Sequence, residues 1–371
     1  MQPRIRPSLL VLALLVSGCG RIGYEASQAS DPPDAAPTPD APQETWWHDD
    51  WAYRVRLTLD ARGIADDLKD FPVLVTLSDE VVPYAKLQDL GQDLRFVASD
   101  DVTVLAHEID TWAPGDRSQV WVRVPFIAAD SKGDFIWLYY GNPNAADEQR
   151  AGEVWADMHA VWHLGDPEAQ GFFADSANGY HAQADLQNTD TAPVGVLAPI
   201  GEGLRFDGID DVIPVAGSDS FNFTEPGLTI EAWLRYDSLQ APWNNYIGMG
   251  GYTNGYRLGI SEQGVVGFQI TGELYDLEAD LVPTLGEWHY IVGTWDGVKM
   301  RLYVDGVADP AELERPGNFD ATNANFALGI AQYPYPGDMD EVRVSNLARS
   351  AAWIEAQYRS MTGGLVVFEV Q

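Results

Sequence analysis

"GEWHYIVGTWDGVKMRLYVDGV", residues 286–307, reads as strand-forming runs broken by Asp296–Gly297 and Asp305–Gly306. Asp-Gly between β-prone runs is among the strongest short-range signals for a hairpin, so antiparallel strands are expected here. "YRLGISEQGVVGFQITG" (256–272) predicts a second hairpin, turning at Glu262–Gly264. Working outward, "AVWHLGD" (160–166), "GLRFDGIDDVIPV" (203–215) and "GLTIEAWLRY" (227–236) are strands upstream, with "FALGIA" and "MDEVRVSN" downstream. "SAAWIEAQYRSM" (350–361) changes period: Ala352, Ile354, Tyr358 and Met361 share a helical face behind a Ser350 cap. These elements define a domain over 154–361 and leave 362–371 as a C-terminal tail.

The first half is also β. "YRVRLTLDA" (53–61) alternates Tyr53, Val55, Leu57 and Leu59 with polar residues, the pattern of a half-buried strand. "FPVLVTL" (71–77), "DLRFVAS" (93–99), "VTVLAHEI" (102–109), "QVWVRVPFI" (119–127) and "DFIWLYYG" (134–141) follow between Asp, Gly and Pro turns. Short strands at that spacing predict a sandwich or a barrel over 46–150, and the sandwich is the expectation taken forward. The fold class expected is therefore all-β, with two β-sandwich domains.

"RFDGIDD", "LTIEAWLR", "GEWHYIVGTWDG…MRLYVDG" and "GDMDEVRVSNLARS" together resemble a laminin-G-like domain of the concanavalin A-like lectin/glucanase superfamily. The resemblance implies an antiparallel jelly roll over 154–361. The superfamily holds lectins, adhesion modules and glycosidases, so the fold does not choose among them. "DLRFVASD", "VWVRVP" and "IWLYYGNP" resemble a bacterial domain family of unassigned function that often precedes lectin-like modules.

"MQPRIRPSLLVLALLVSG" (1–18) has Arg4 and Arg6 before an apolar run, Leu9–Val16, as an export signal does. "LVSGC" resembles a bacterial lipobox, and Cys19 is the one cysteine of the chain. A lipid anchor at Cys19 is expected, with residues 19–45, rich in Pro, Ala and Asp, as a disordered tether. With 22 basic and 56 acidic residues the net charge is −34. Loss of the two signal arginines takes it to −36. Such a surface repels phosphate backbones, so nucleic acid is excluded as a partner. The expected setting is a bacterial envelope, the outer membrane first, and the expected partner a glycan or an extracellular protein.

Three carboxylate stretches are candidates for chemistry. In "HEIDTW" (107–112), Glu108 and Asp110 share a strand face, as in glucanases with Glu-x-Asp-x-Glu. Here Trp112 replaces the third acid and the stretch lies outside the jelly roll, so catalysis is not expected. Asp276, Glu278 and Asp280 alternate in "ELYDLEAD" at about 6.6 Å, near the carboxyl gap of retaining glycosidases. The loop lacks the apolar wall that would raise one pKa, so a solvated acidic edge is expected. His159 and His163 have the i, i+4 spacing of zinc ligands, but on a strand they stand about 13 Å apart.

The third stretch, 337–350, holds Asp338, Asp340 and Glu341. The resemblance implies calcium held by carboxylates and carbonyl oxygens. Asp175 and Asn178 of "FADSANGYH", with Asp340, form the expected calcium site; the alternative is an ion pair of Asp340 and Glu341 with Arg343 or Arg205. Aromatic loops at 241–256 and 332–338 suit sugar stacking through Trp243, Tyr246, Tyr252 and Tyr335. The expected function is non-catalytic binding by a surface lipoprotein; the alternative is a glycoside hydrolase.

Overall fold

The alternating stretch at 53–61 forms strand Tyr53–Leu59, which buries Val55, Leu57 and Leu59. The structure, a computed structural model, describes residues 46–165, 171–184, 192–223, 225–239, 242–249, 255–270, 276–317, 322–330 and 334–369. Tyr53–Leu59 pairs antiparallel with Phe135–Tyr140 on one side and with Val366–Glu369 on the other. Residues expected as a tail thus form the edge strand of the first sheet, which continues through Arg95–Ala98 to Val104–Leu105. A three-stranded sheet of Leu68–Leu77, Ser118–Ile127 and His107–Thr111 packs on it. Leu57, Leu59, Phe96 and Leu138 meet Phe71, Val73, Val75 and Val122 in the core between them.

The second sandwich keeps the hairpins expected at 286–307. His289–Trp295, Lys299–Val304 and Val307–Glu314 are consecutive neighbours, all antiparallel. Asp305 and Gly306 take φ of 52° and 77°, the two left-handed positions of a type I′ turn. These strands belong to an eight-stranded sheet that includes Leu228–Tyr236, Pro336–Ser345 and Ala160–Trp162. A six-stranded sheet, with Trp243–Met249, Tyr256–Ser261 and Val266–Ile270 at its centre, faces it. Ile230, Leu234, Ile291 and Leu302 interlock with Ile247, Leu258, Ile260 and Phe268.

The two sandwiches are not separate beads. Trp233, Tyr290, Val292 and Tyr303, on the outer face of the eight-stranded sheet, share one core with Phe71, Trp121 and Trp155. Helix Ala351–Met361 lies between the sandwiches, its first turn capped by Ser350 Oγ accepting from Trp353 N–H at 3.2 Å. Trp353 meets Phe71 edge-on at 5.5 Å, and Tyr358 lies 5.8 Å from Trp233. Ser360 Oγ accepts the Leu74 N–H at 2.8 Å. A strand between two layers needs both faces apolar, which is why Leu68–Leu77 and Ser118–Ile127 read as near-continuous hydrophobic runs.

Candidate functional site at the seam

Strand Pro336–Ser345 is buried along all ten residues because one face lines the jelly-roll core and the other the seam. Met339, Val342 and Val344 enter the core. Strict alternation would return Glu341 to that core, but the register against Leu228–Tyr236 slips between Glu231 and Trp233. Glu341 is the extra residue, with φ of 51°. A bulge with its first residue left-handed restores the pleat one position later, so adjacent Asp340 and Glu341 both leave the core side. The partner strand Ala160–Trp162 stops just before His163, and Leu164, at φ 65°, turns the chain away.

From the other sandwich, strand His107–Thr111 brings Glu108 and Asp110 to the same place. His163 Nδ1 lies 2.7 Å from Glu341 Oε1, and its Nε2 3.3 Å from Glu108 Oε2. Glu108 also accepts from Trp155 Nε1 and Ser176 Oγ, each at 2.6 Å. Arg343 donates to the other oxygen of Glu341 and, at 3.4 Å, to Glu231 Oε1. Its guanidinium lies over the rings of Trp121 and Trp155, at 4.5 and 4.9 Å. Tyr290 donates its hydroxyl to Glu231 Oε2 at 2.6 Å. Asp340 Oδ2 accepts the Ile200 N–H at 3.2 Å. Two oxygens stand apart: Asp110 Oδ2 and Asp340 Oδ1 are buried, and among the described residues no donor reaches them.

Burial and charge pull these groups in opposite directions. Burial disfavours the His163 imidazolium, yet Glu341, Asp110 and Glu108 together raise its pKa well above the ordinary value. Burial also opposes ionised Glu108 and Glu341, but His163, with hydrogen bonds to Glu108 and Arg343 beside Glu341, holds both below the usual range. Asp110 is pushed up to about 7 by burial. Asp340 rises well above its ordinary value through burial and the neighbouring Glu341 and Asp110. A cleft of about 280 Å³ opens onto this cluster, lined by Glu108, Asp110, His163, Phe172, Phe173 and Ser176.

The residues expected to bind calcium are used otherwise. Asp175 Oδ1 accepts from Val161 and Ala177 N–H, and Oδ2 from Asn178 and Tyr180 N–H, all within 2.8–3.0 Å. Four donors fill the four lone-pair positions of a carboxylate, so in this structure Asp175 organises a turn. Asn178 donates its amide to the carbonyls of Met158 and His159, both at 3.0 Å. Of the third expected ligand, Asp340, one oxygen remains open at the seam. The ion-pair alternative holds for Glu341 with Arg343, while Arg205 pairs with Asp338.

Two of the expected sugar-stacking residues also need correction. Tyr246 and Tyr335 are buried inside the jelly roll, 5.4 Å apart and edge to face. The Tyr335 hydroxyl lies 2.8 Å from the Arg235 carbonyl oxygen, which holds the ring inside. Trp243 is half-buried at the start of its strand. Tyr252 and Cys19 lie outside the described residues. His159 and His163 do not converge: His159 stacks on Tyr180 at 4.9 Å, away from Glu341. Glu278 is exposed, and Asp276 accepts the Ile270 N–H at 3.0 Å.

The sequence set Glu108 and Asp110 aside because Trp112 replaces the third acid and the stretch lies outside the jelly roll. The signal that could have recovered them is "QVWVRVPFI", where Trp121 stands on the face opposite Val120, Val122 and Val124 and calls for a second layer to cover it.

None of the curated proteins is similar enough to the chain to count as a relative. Among solved structures, a Trypanosoma rangeli sialidase in complex with 2,3-difluorosialic acid matches at 15% identity and a TM-score of 0.44. That match covers 71% of this chain and 44% of the sialidase, so the chain spans under half of its length. Domain 4 of AbnA, an extracellular arabinanase from Geobacillus stearothermophilus in complex with arabinotriose, matches at 17% identity and a TM-score of 0.36. It covers 44% of this chain and 80% of that one. Botulinum neurotoxin type C, whose cell entry depends on two ganglioside molecules, matches at 12% identity and a TM-score of 0.42. It covers 56% of this chain and 52% of the toxin chain. Residues 90–178 match the family model of a domain of unknown function (DUF2341). Residues 207–355 match the Laminin_G_3 family model, described as the Concanavalin A-like lectin/glucanases superfamily.

Proposed function

We propose that the protein binds carbohydrate in the seam cleft, without cleaving it, and is displayed on a bacterial envelope by a lipid on Cys19. The observation that supports binding is the cleft itself. An exposed Phe172 ring stands beside the carboxylates of Glu108 and Asp110 and the hydroxyl of Ser176. An aromatic face next to a few fixed acceptors suits a sugar, whose C–H face stacks while its hydroxyls donate. The superfamily of residues 207–355 supports the same ligand class.

A glycan array with the purified protein tests the reading. Binding that Phe172→Ala weakens about tenfold supports it; array binding indifferent to Phe172 moves the site elsewhere, with Trp243 the next residue to change. Sustained release of reducing ends from a bound polysaccharide, lost in Asp110→Asn, would replace the binding reading with the hydrolase. Display is tested by labelling cells with an alkyne fatty acid. Wild type should label and Cys19→Ser should not; equal labelling with both proteins membrane-bound defeats the anchor.

A further inference from the structure

We propose that the floor of the seam cleft is a binding site for a divalent transition-metal ion, ligated by Asp110, His163 and Glu341 with Asp340 alongside. This goes beyond carbohydrate binding and does not depend on it. One donor atom each from Asp110, His163 and Glu341 lies within 4.8 Å of the other two. An ion about 2.0–2.2 Å from each sets tetrahedral ligands about 3.4 Å apart, so His163 Nδ1 and Glu341 Oε1 would open from their 2.7 Å contact to admit it.

Two further observations favour a cation here. Asp340 is fully buried and its Oδ1 meets no donor among the described residues, yet its carboxyl interacts electrostatically with Glu341, Asp110 and His163. Asp110 Oδ2 is orphaned in the same way. A buried carboxylate oxygen without a partner loses its hydration for nothing in return. A cation held by Asp110 would offset this charge. The charges agree: Glu108, Asp110, Glu231, Asp340 and Glu341 surround two cations, His163 and Arg343. Five acids outnumber two bases by three in this buried layer, an excess that a divalent cation would reduce.

The surrounding groups suit metal ligation. With Nδ1 turned to the ion, His163 would donate Nε2–H to Glu108, the carboxylate–histidine–metal arrangement that fixes tautomer and ring orientation. Arg343 holds the second oxygen of Glu341, and Trp155 and Ser176 hold Glu108. The cleft supplies an entry path. An imidazole nitrogen among carboxylates favours Zn²⁺ or Mn²⁺ over Ca²⁺, which takes oxygen ligands.

The full chain, stripped with chelator, should bind one Zn²⁺ or Mn²⁺ per molecule by calorimetric titration and melt at a higher temperature when loaded. Co²⁺ in the same site should give visible absorption that Zn²⁺ displaces. Asp110→Asn, which keeps size and shape, should abolish stoichiometric binding, and Glu108→Gln should weaken it about tenfold. Asp207→Asn, on an acidic surface turn, should leave it intact; circular dichroism and cooperative melting verify that each variant folds. No stoichiometric binding by wild type overturns the proposal. So does binding that survives in both Asp110→Asn and His163→Gln, or a site that takes Ca²⁺ and refuses Zn²⁺ and Mn²⁺.

Discussion

Among the described residues, two acidic clusters bring three potential ligands within 4.8 Å of one another: Asp110, His163 and Glu341 at the seam, and Asp207, Asp210 and Asp211 on a turn. The turn satisfies itself with backbone donors. Asp207 Oδ1 accepts the Ile209 N–H at 2.7 Å, and Asp211 Oδ2 accepts the Asp207 N–H at 2.7 Å. Asp207 and Asp210 are exposed, and water screens their charges. At the seam the chain donors run short: among the described residues two carboxylate oxygens are left over, and Arg343 and His163 carry the opposing charge. Crowded carboxylates are cheap where water reaches them and demanding where it does not; burial, and not acid count, separates a site from a turn.

The largest effect should come from removing the seam's fixed cation. Arg343→Met keeps a long apolar stem beside Trp121 and Trp155 but removes the guanidinium that Glu341 and Glu231 share, leaving them His163 and the Tyr290 hydroxyl. Urea denaturation should show a loss of about 3–5 kcal/mol, the cost of breaking a buried pair from one side. A loss under about 1 kcal/mol would mean the seam is as screened as the turn.

Next is the helix that makes the seam one layer. Trp353→Ala opens a cavity against Phe71 and should cost about 3–4 kcal/mol. Because one core joins both sandwiches, wild type should unfold in a single calorimetric transition over residues 46–371. Two transitions in wild type would show the seam to be a contact between independent domains. Ser350→Ala, which removes the cap accepting from Trp353 N–H, should cost about 1 kcal/mol in the same assay.

The smallest effect belongs to the turn. Burial pushes the Asp211 carboxyl up to about 6, against a value of 3.8 for the free group. The unfolded chain then loses this proton first, so folding stability from Asp211 is highest below pH ~4 and falls as pH rises towards ~6. Asp211→Asn keeps an oxygen for the Asp207 N–H and should flatten the wild-type decline in that window. Parallel stability curves for the two proteins would show that Asp211 is solvated after all.

Local chemistry made much of the fold legible in the sequence. Asp305–Gly306 dictates a tight turn wherever it sits, because its two left-handed residues close a hairpin between neighbouring strands. Ser350 caps its helix with a bond three residues long, and the alternation at 53–59 records one wet and one dry face. The family of residues 207–355 was readable from such local motifs, and so was the all-β class.

The tertiary structure alone decided the rest, because the contacts are remote in sequence. Glu341 and His163 stand 178 positions apart, and His163 and Glu108 a further 55. No period or spacing encodes that meeting; it depends on two sheets stacking through faces that each read as an ordinary strand. The strand Val366–Glu369 looked like a tail because its partner, Tyr53–Leu59, lies at the far end of the described chain. Tyr246 and Tyr335 looked like rim aromatics because composition cannot say which way a loop folds. The seam was invisible for the same physical reason that makes it a site: its charges are held by remote partners, and only burial between two layers makes those partners matter.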